Sequence, residues 1–235
     1  MIESQYRERI TAIQDRIATA ARRSGRTASD VSLVIVSKYL DLESTVPLIH
    51  AAGPGAIFGE SRPQLLSQKA AYFAQQTATP QIAWHQIGPL QTNKIRLIAP
   101  WIARLHSGES VPQLTALHEE LTRLHRVVPV LLEVNISGEP SKHGFEPEQV
   151  ESVLETLAPL TALRIDGLMG MTSLNATEPM AHRQFASLRR LAERLRPQLP
   201  PEIQFTELSM GMTHDFEIAI EEGATFVRIG SAITA

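Results

Sequence analysis

Lys38 ends an apolar run, Leu33-Val-Ile-Val-Ser37, and that placement is the first sign of chemistry in the chain. A lysine at the end of a buried strand lays its stem on apolar neighbours and carries its amine to the sheet edge. Partial desolvation there disfavours the ammonium and lowers its pKa from about 10.4. The neutral amine attacks an aldehyde to give a Schiff base. A lysine that snorkels from a strand end to water has the same local sequence, so both roles are open at this point. A second signal is a pair of small-residue turns, Ser209-Met210-Gly211-Met212-Thr213 and Gly230-Ser231. Glycines let backbone approach a ligand, hydroxyls add donors, and amides leading into a helix favour phosphate. Ordinary turn chemistry and N-capping by Thr213 or Ser209 use the same residues. Arg228 lies two residues before the second turn. A buried arginine needs an anion or a strong acceptor, and an ion pair with Glu133 or Glu207 would serve as well as a ligand.

These groups act together only if the fold brings them to one edge. Short apolar runs near 33–37, 56–59, 82–87, 104–106, 129–135, 164–169, 205–208 and 225–229 read as strands. Helical patterns fall between them at 43–52, 62–76, 91–99, 111–125, 147–157, 179–196 and 214–222. Eight alternating units predict parallel pairing and an α/β fold, a single (β/α)8 TIM barrel over about 31–233. The run at 104–106 is weak, which keeps a doubly wound open sheet as the alternative. Ile10, Ile13, Ile17 and Ala21 predict an extra amphipathic N-terminal helix over about 3–24. Only six residues follow the last strand, so this helix is expected to cover the side where an eighth helix would sit. In such a barrel the strand ends and the loops after them carry the chemistry. That rule selects Lys38, the two glycine turns and Arg228. It adds Met169 as a candidate pocket wall and His85 as either pocket lining or a satisfied core histidine.

Composition narrows the classes further. The chain has 235 residues, 43% apolar and 20% charged, enough to bury a sizeable core. Net charge is −3, which argues against nucleic acid or an anionic membrane as main partner. There is no cysteine, so disulfides, thiolate metal sites and cysteine catalysis are excluded. The polar start MIESQYRERI and the short apolar runs predict a cytoplasmic protein with neither signal peptide nor membrane span. His118 and His125 are seven apart and do not form HExxH, Gly53-Pro-Gly55 precedes a strand instead of following one, and no P-loop is present. The histidines are scattered, so no metal site is expected, and a monomer is the default.

Longer segments carry a resemblance. LVIVSK ending at Lys38, FGE at 58–60, WHQIGPLQTNK at 84–94, VNISGEPSKHGF at 134–145, GLMGMTS at 167–173 and LSMGMTHDFEIAIEEGATFVRIGSAI at 208–233 resemble the pyridoxal phosphate homeostasis protein family. The family fold is a barrel similar to the N-terminal domain of alanine racemase. The resemblance implies that pyridoxal 5′-phosphate (PLP) is the cofactor and that Lys38 forms an internal aldimine with it. It further implies that Ser209, the amides around Met210-Gly211, Gly230 and Ser231 hold the phosphate, and that Arg228 faces the pyridine nitrogen. Two departures stand out. Ser61-Arg62 replaces the family's asparagine-aromatic pair after FGE, and Ala232-Ile-Thr-Ala235 replaces an ending with Phe-Gly.

What the resemblance implies about activity follows from the arginine. A guanidinium donates to an unprotonated ring nitrogen without handing over its proton. The ring is then a weaker electron sink than one paired with a carboxylate. The barrel also uses nearly the whole chain, and only Tyr6, Tyr39 and Tyr72 are present as phenols. The expectation is a non-catalytic carrier for intracellular PLP and vitamin B6 homeostasis, with PLP-dependent apoenzymes as candidate recipients. The competing reading is an amino-acid racemase or Schiff-base aldolase, with His85 and Glu133 as candidate acid/base groups. A regulatory module whose main partner is another protein is a third reading.

Overall fold

An isoleucine stripe at helical spacing begins the fold. Helix α1 (Ile2–Arg23) buries Tyr6, Ile10, Ile13, Ile17, Ala20 and Ala21 on one face, and Gly25, with φ of +71°, turns the chain out of it. The computed structural model describes residues 2–76, 81–139, 143–200 and 203–235. After α1 the units follow in order: β1 (Ser32–Val36), α2 (Leu42–Ala52), β2 (Ile57–Glu60), α3 (Pro63–Ala74), β3 (Ala83–Gln86), α4 (Ile95–Ile98), β4 (Ile102–Gly108) and α5 (Val111–Arg123). Then come β5 (Val128–Val134), α6 (Val150–Leu157), β6 (Leu163–Gly170), α7 (Glu178–Leu195), β7 (Glu207–Ser209), α8 (Phe216–Glu221), β8 (Phe226–Ile229) and α9 (Ser231–Thr234).

The strands pair in parallel in sequence order, and β8 returns to β1 to close the barrel. Each strand is covered on both faces, which is why its residues read as near-continuous apolar runs. Caps set the helix starts: the Asp41 side chain accepts from the Ser44 amide before α2, and Ser110 accepts from the Gln113 amide before α5. The closed ring settles the choice between barrel and open sheet that the sequence left.

Three elements differ from expectation. β4 runs over seven residues, Ile102–Gly108, well beyond 104–106. Its interior positions are Arg104 and His106, so the strand lacks the apolar pattern that marks the others. The stretch at 91–99 is a 3-10 turn, Thr92–Lys94, followed by one turn of α4. β7 is three residues long and starts at Glu207, not at 205.

α9, after β8, is a single turn among the described residues. α1 packs beside it, between α2 and α8, and Arg9 donates to the Ile233 carbonyl at 3.0 Å. Arg16 forks onto Glu217 at 3.1 and 3.0 Å, its guanidinium 4.6 Å from the centre of the Phe216 ring. The N-terminal helix therefore covers the seam, as predicted.

Inside the barrel Val34, Leu131, Met169 and Phe226 form a small apolar plug. Arg104 pairs with Asp166 at 3.0 Å and lies 4.9 Å from the Phe226 ring. Gly167 is required by this crowding, because a Cβ there would lie 1.9 Å from the Glu207 carbonyl oxygen.

Candidate cofactor site

Strand register brings the predicted residues to one rim. Val34 pairs with Arg228 and Ile35 with Ile229, so Gly230 and Ser231 emerge beside the end of β1, where Lys38 begins the loop. A Cβ on Gly230 would lie 3.3 Å from Cβ of Val36. Val34 faces the interior plug. Lys38 lies two residues past the last residue of β1, in the turn that follows. Lys38 is half-buried, and its Nζ lies 5.0 Å from the ring of the exposed Tyr39.

The backbone around Lys38 is held from both sides. Lys69, on α3, donates to the Ser37 carbonyl at 2.9 Å and to Glu60 Oε1 at 2.5 Å. The Ser37 hydroxyl donates to the same Glu60 oxygen at 2.7 Å. Lys69 and Glu60 are 1% and 0% exposed, so this is a fully buried ion pair. Burial lowers the Lys69 pKa, while the bond to Glu60 works against that shift. Arg62, just before α3, donates to the Lys38 carbonyl. Arg62, one of the two departures from the resemblance noted in the sequence, thus binds the backbone of the predicted reactive residue.

Arg228 lies on the neighbouring strand β8, level with Val34. Its Nη1 donates to Ser209 Oγ at 2.5 Å and its Nη2 to the Gly170 carbonyl at 3.3 Å. No carboxylate lies within ion-pair distance of it among the described residues, so the sequence alternative of a pair with Glu133 or Glu207 is not formed. Glu207 instead accepts from Thr225 at 2.5 Å. Burial pulls the Arg228 pKa down to about 10, opposed by the more distant Glu133 and Asp215. It stays cationic at neutral pH, with N–H groups beyond the two already engaged.

Ser209 is fully buried. Its hydroxyl meets Arg228 and also His106 Nδ1 at 2.8 Å. His106 Nε2 lies 2.9 Å from His85 Nδ1. Burial holds both imidazoles neutral, with His85 pushed down to about 3 and His106 well below its ordinary value. The Met210 amide donates to the Phe226 carbonyl at 3.1 Å within the sheet. Ser209 and Met210 thus have partners inside the barrel, whereas the hydroxyls of Thr213 and Ser231 stand at the rim, 3.3 Å apart. Gly211, with φ of +90°, makes that turn possible, since a Cβ would press to 2.6 Å from Ala219. Asp215 fixes the turn by accepting from the Met212 amide at 2.7 Å and the Thr172 hydroxyl at 2.8 Å.

Met169 belongs to the interior plug, and His85 sits beside Phe226 with ring centroids 5.9 Å apart. Both lie beneath the rim. Glu133, also interior, has its pKa raised to about 7, first by burial and then by Glu109, against the pull of Arg228 and His143. His118 accepts from the Ala162 amide at 3.2 Å, consistent with a structural histidine. Beyond the rim, a cavity of about 530 Å3 opens between the loops after β6 and β7, lined by Met171, Thr172, Leu174, Met212 and Asp215. Sequence reasoning missed His106, Lys69 and the backbone role of Arg62. Only the alternation of Arg104 and His106 in an otherwise apolar strand signalled the first.

The barrel is of the alanine racemase N-terminal class. The sequence model described as the alanine racemase N-terminal domain matches residues 98–235. The pyridoxal phosphate homeostasis protein of Vibrio cholerae is 36% identical over 226 residues, covering 96% of this chain and 92% of the relative. That of Pseudomonas aeruginosa is 37% identical over 230 residues, covering 98% and 95%. The structure of PipY from Synechococcus elongatus with PLP bound matches with a TM-score of 0.83 at 28% identity, covering 98% of this chain and all (100%) of that one. The chain belongs to the pyridoxal phosphate homeostasis protein family.

Proposed function

We propose that this chain binds PLP reversibly through Lys38 and serves PLP homeostasis without turning over a substrate. The observation that carries this reading is Arg228: a fully buried cation with no ion-pair partner among the described residues and with donors to spare. Such a group calls for an anion or a strong acceptor, and an unprotonated pyridine nitrogen is one such acceptor. PLP, when bound, supplies an aldehyde that condenses with an amine and a ring that draws electrons from that link.

The protein's own groups divide the work. Lys38 holds the cofactor covalently, with its backbone fixed by Lys69 and Arg62. Arg228 orients the ring by donating to its nitrogen. Thr213, Ser231 and the backbone at Gly211 and Gly230 receive the phosphate, while Ser209 acts behind Arg228. Carriage without turnover is supported by where the acid/base groups sit. His85 and His106 bind each other below the rim, Tyr6 is buried on the inner face of α1, and Tyr39 is 78% exposed to water. An open rim favours loading and release and gives little desolvation for catalysis. The reading includes a cytoplasmic monomer that passes PLP to apoenzymes.

The test is borohydride reduction of PLP-loaded protein followed by peptide mass spectrometry. The pyridoxyl phosphate mass is expected on Lys38, with a visible absorbance band that Lys38→Ala abolishes. Label elsewhere, or a band that survives Lys38→Ala, would overturn the assignment. Turnover of a free amino acid by the loaded protein would move the reading to the racemase class.

A further inference from the structure

Four polar side chains from four strands form a line inside the barrel: Arg228 on β8, Ser209 on β7, His106 on β4 and His85 on β3. The contacts are 2.5 Å, 2.8 Å and 2.9 Å in that order. All four are buried. The PLP reading uses Arg228 and sets Ser209 behind it, and the donor count bears on how Ser209, His106 and His85 act together.

Arginine has donors and no acceptor, so Ser209 Oγ must accept from Arg228. The serine hydroxyl keeps one hydrogen to give. Among the described residues its only other partner is His106 Nδ1, so that nitrogen accepts it. Burial and the neighbouring cations keep His106 neutral. A neutral imidazole that accepts at Nδ1 carries its hydrogen on Nε2, and that hydrogen points at His85 Nδ1. His85, neutral too, must then carry its own hydrogen on Nε2. The opposite direction would aim both Arg228 and His106 donors at one oxygen and leave the serine hydrogen with no acceptor. A buried hydroxyl hydrogen left so is costly.

We propose that Arg228, Ser209, His106 and His85 form a one-way donor chain in which His106 is a positioning residue, holding the Arg228 guanidinium as the donor to an aromatic ring nitrogen. Each link polarises the next, which makes Ser209 Oγ a stronger acceptor than an isolated hydroxyl. Together with the Gly170 carbonyl it fixes the guanidinium about two N–H groups and leaves the others directed by geometry. An N–H held in this way suits the pyridine nitrogen that the PLP reading sets against Arg228. The inference rests on the PLP reading for that ligand, while the chain itself is testable without any ligand.

The first measurement is a long-range proton–nitrogen NMR spectrum of the histidines in the protein before PLP is added. Both His85 and His106 are expected as Nε2–H tautomers that do not titrate between pH 5.5 and 8, roughly a span centred on the ordinary histidine value. An Nδ1–H tautomer, or an imidazolium, at either residue overturns the chain. The second compares PLP release from His106→Leu and His106→Asn. Asparagine can offer an acceptor near the Nδ1 position, and leucine cannot. Release is expected to be about tenfold faster in the leucine variant and within about threefold of the parent in the asparagine variant. Full labelling of Lys38 is expected in both. Unchanged release in His106→Leu, or equal loss in both folded variants, overturns the positioning role. Should His106→Leu fail to fold, Ser209→Ala removes the same link by one oxygen and must show the same faster release. A parent protein that takes up no PLP sinks the proposed function instead, and the tautomers still decide the chain.

Discussion

The Lys69 ammonium donates to the carbonyl of Ser37, the residue directly before Lys38, at 2.9 Å. The same nitrogen binds Glu60, which also receives the Ser37 hydroxyl. A buried ion pair behind the sheet thus fixes the peptide that presents the predicted reactive amine. Its stability and its functional effect can be separated.

Lys69→Met leaves Glu60 buried without its cation, and breaking a buried pair from one side costs about 3–5 kcal/mol. Urea denaturation should show a loss of that size. Adding Glu60→Leu should recover much of it. A single variant within about 1 kcal/mol of the parent would mean that water enters to solvate Glu60.

Arg62 is exposed, and its bond to the Lys38 carbonyl should contribute little to folding, about 1 kcal/mol or less. Arg62→Ala should leave the melting temperature nearly unchanged and weaken PLP binding several-fold, read by absorbance titration. Equal affinity in the two proteins would remove Arg62 from the site.

Acid should destabilise the fold through the interior histidines. His85 is pushed from 6.5 to about 3, and His106 is lowered as well, so the unfolded chain binds protons that the folded one refuses. Their stabilising contribution is complete above pH 6.5 and is lost as pH falls toward 3, by a few kcal/mol in order of magnitude. Denaturation midpoints taken between pH 7 and 4 should fall steeply. His106→Asn should flatten that slope, and an unaltered slope would contradict the assignment.

Glu133 works in the other direction. Its folded pKa is raised from 4.5 to about 7, so the folded state holds a proton the unfolded state has given up. Stability from this group is full below pH 4.5 and is lost as pH rises through about 7. Glu133→Gln should abolish the decline on the neutral side. The midpoint difference between the two proteins at pH 5.5 and 8 measures it.

How much was legible in advance depended on which side chains faced the interior. Strands such as Ser32–Val36 are apolar on both faces and stood out at once. β4 was nearly missed because its inward residues, Arg104 and His106, are polar, and alternation with two buried polar groups looks like a loop edge. Lys38, Arg228 and the glycine turns could be nominated from sequence because strand ends carry function in barrels of this kind. Ser209 was read as rim chemistry, since nothing in its local sequence says that a hydroxyl one residue from the turn points inward to an arginine and a histidine. Lys69 was invisible for the same reason: its partner Glu60 lies on another element, and only the folded chain brings the two within 2.5 Å.

The helix over the seam has a consequence for synthesis. Arg9 reaches Ile233 across 224 positions, and Arg16 reaches Glu217 across 201. α2 follows α1 closely in the chain, but α8 and α9 are made some two hundred positions later, so one side of the helix waits for them. Closure of the ring is then a late event in folding, and a nascent chain that has not yet exposed α8 would leave the side of α1 that α8 covers open to chaperones.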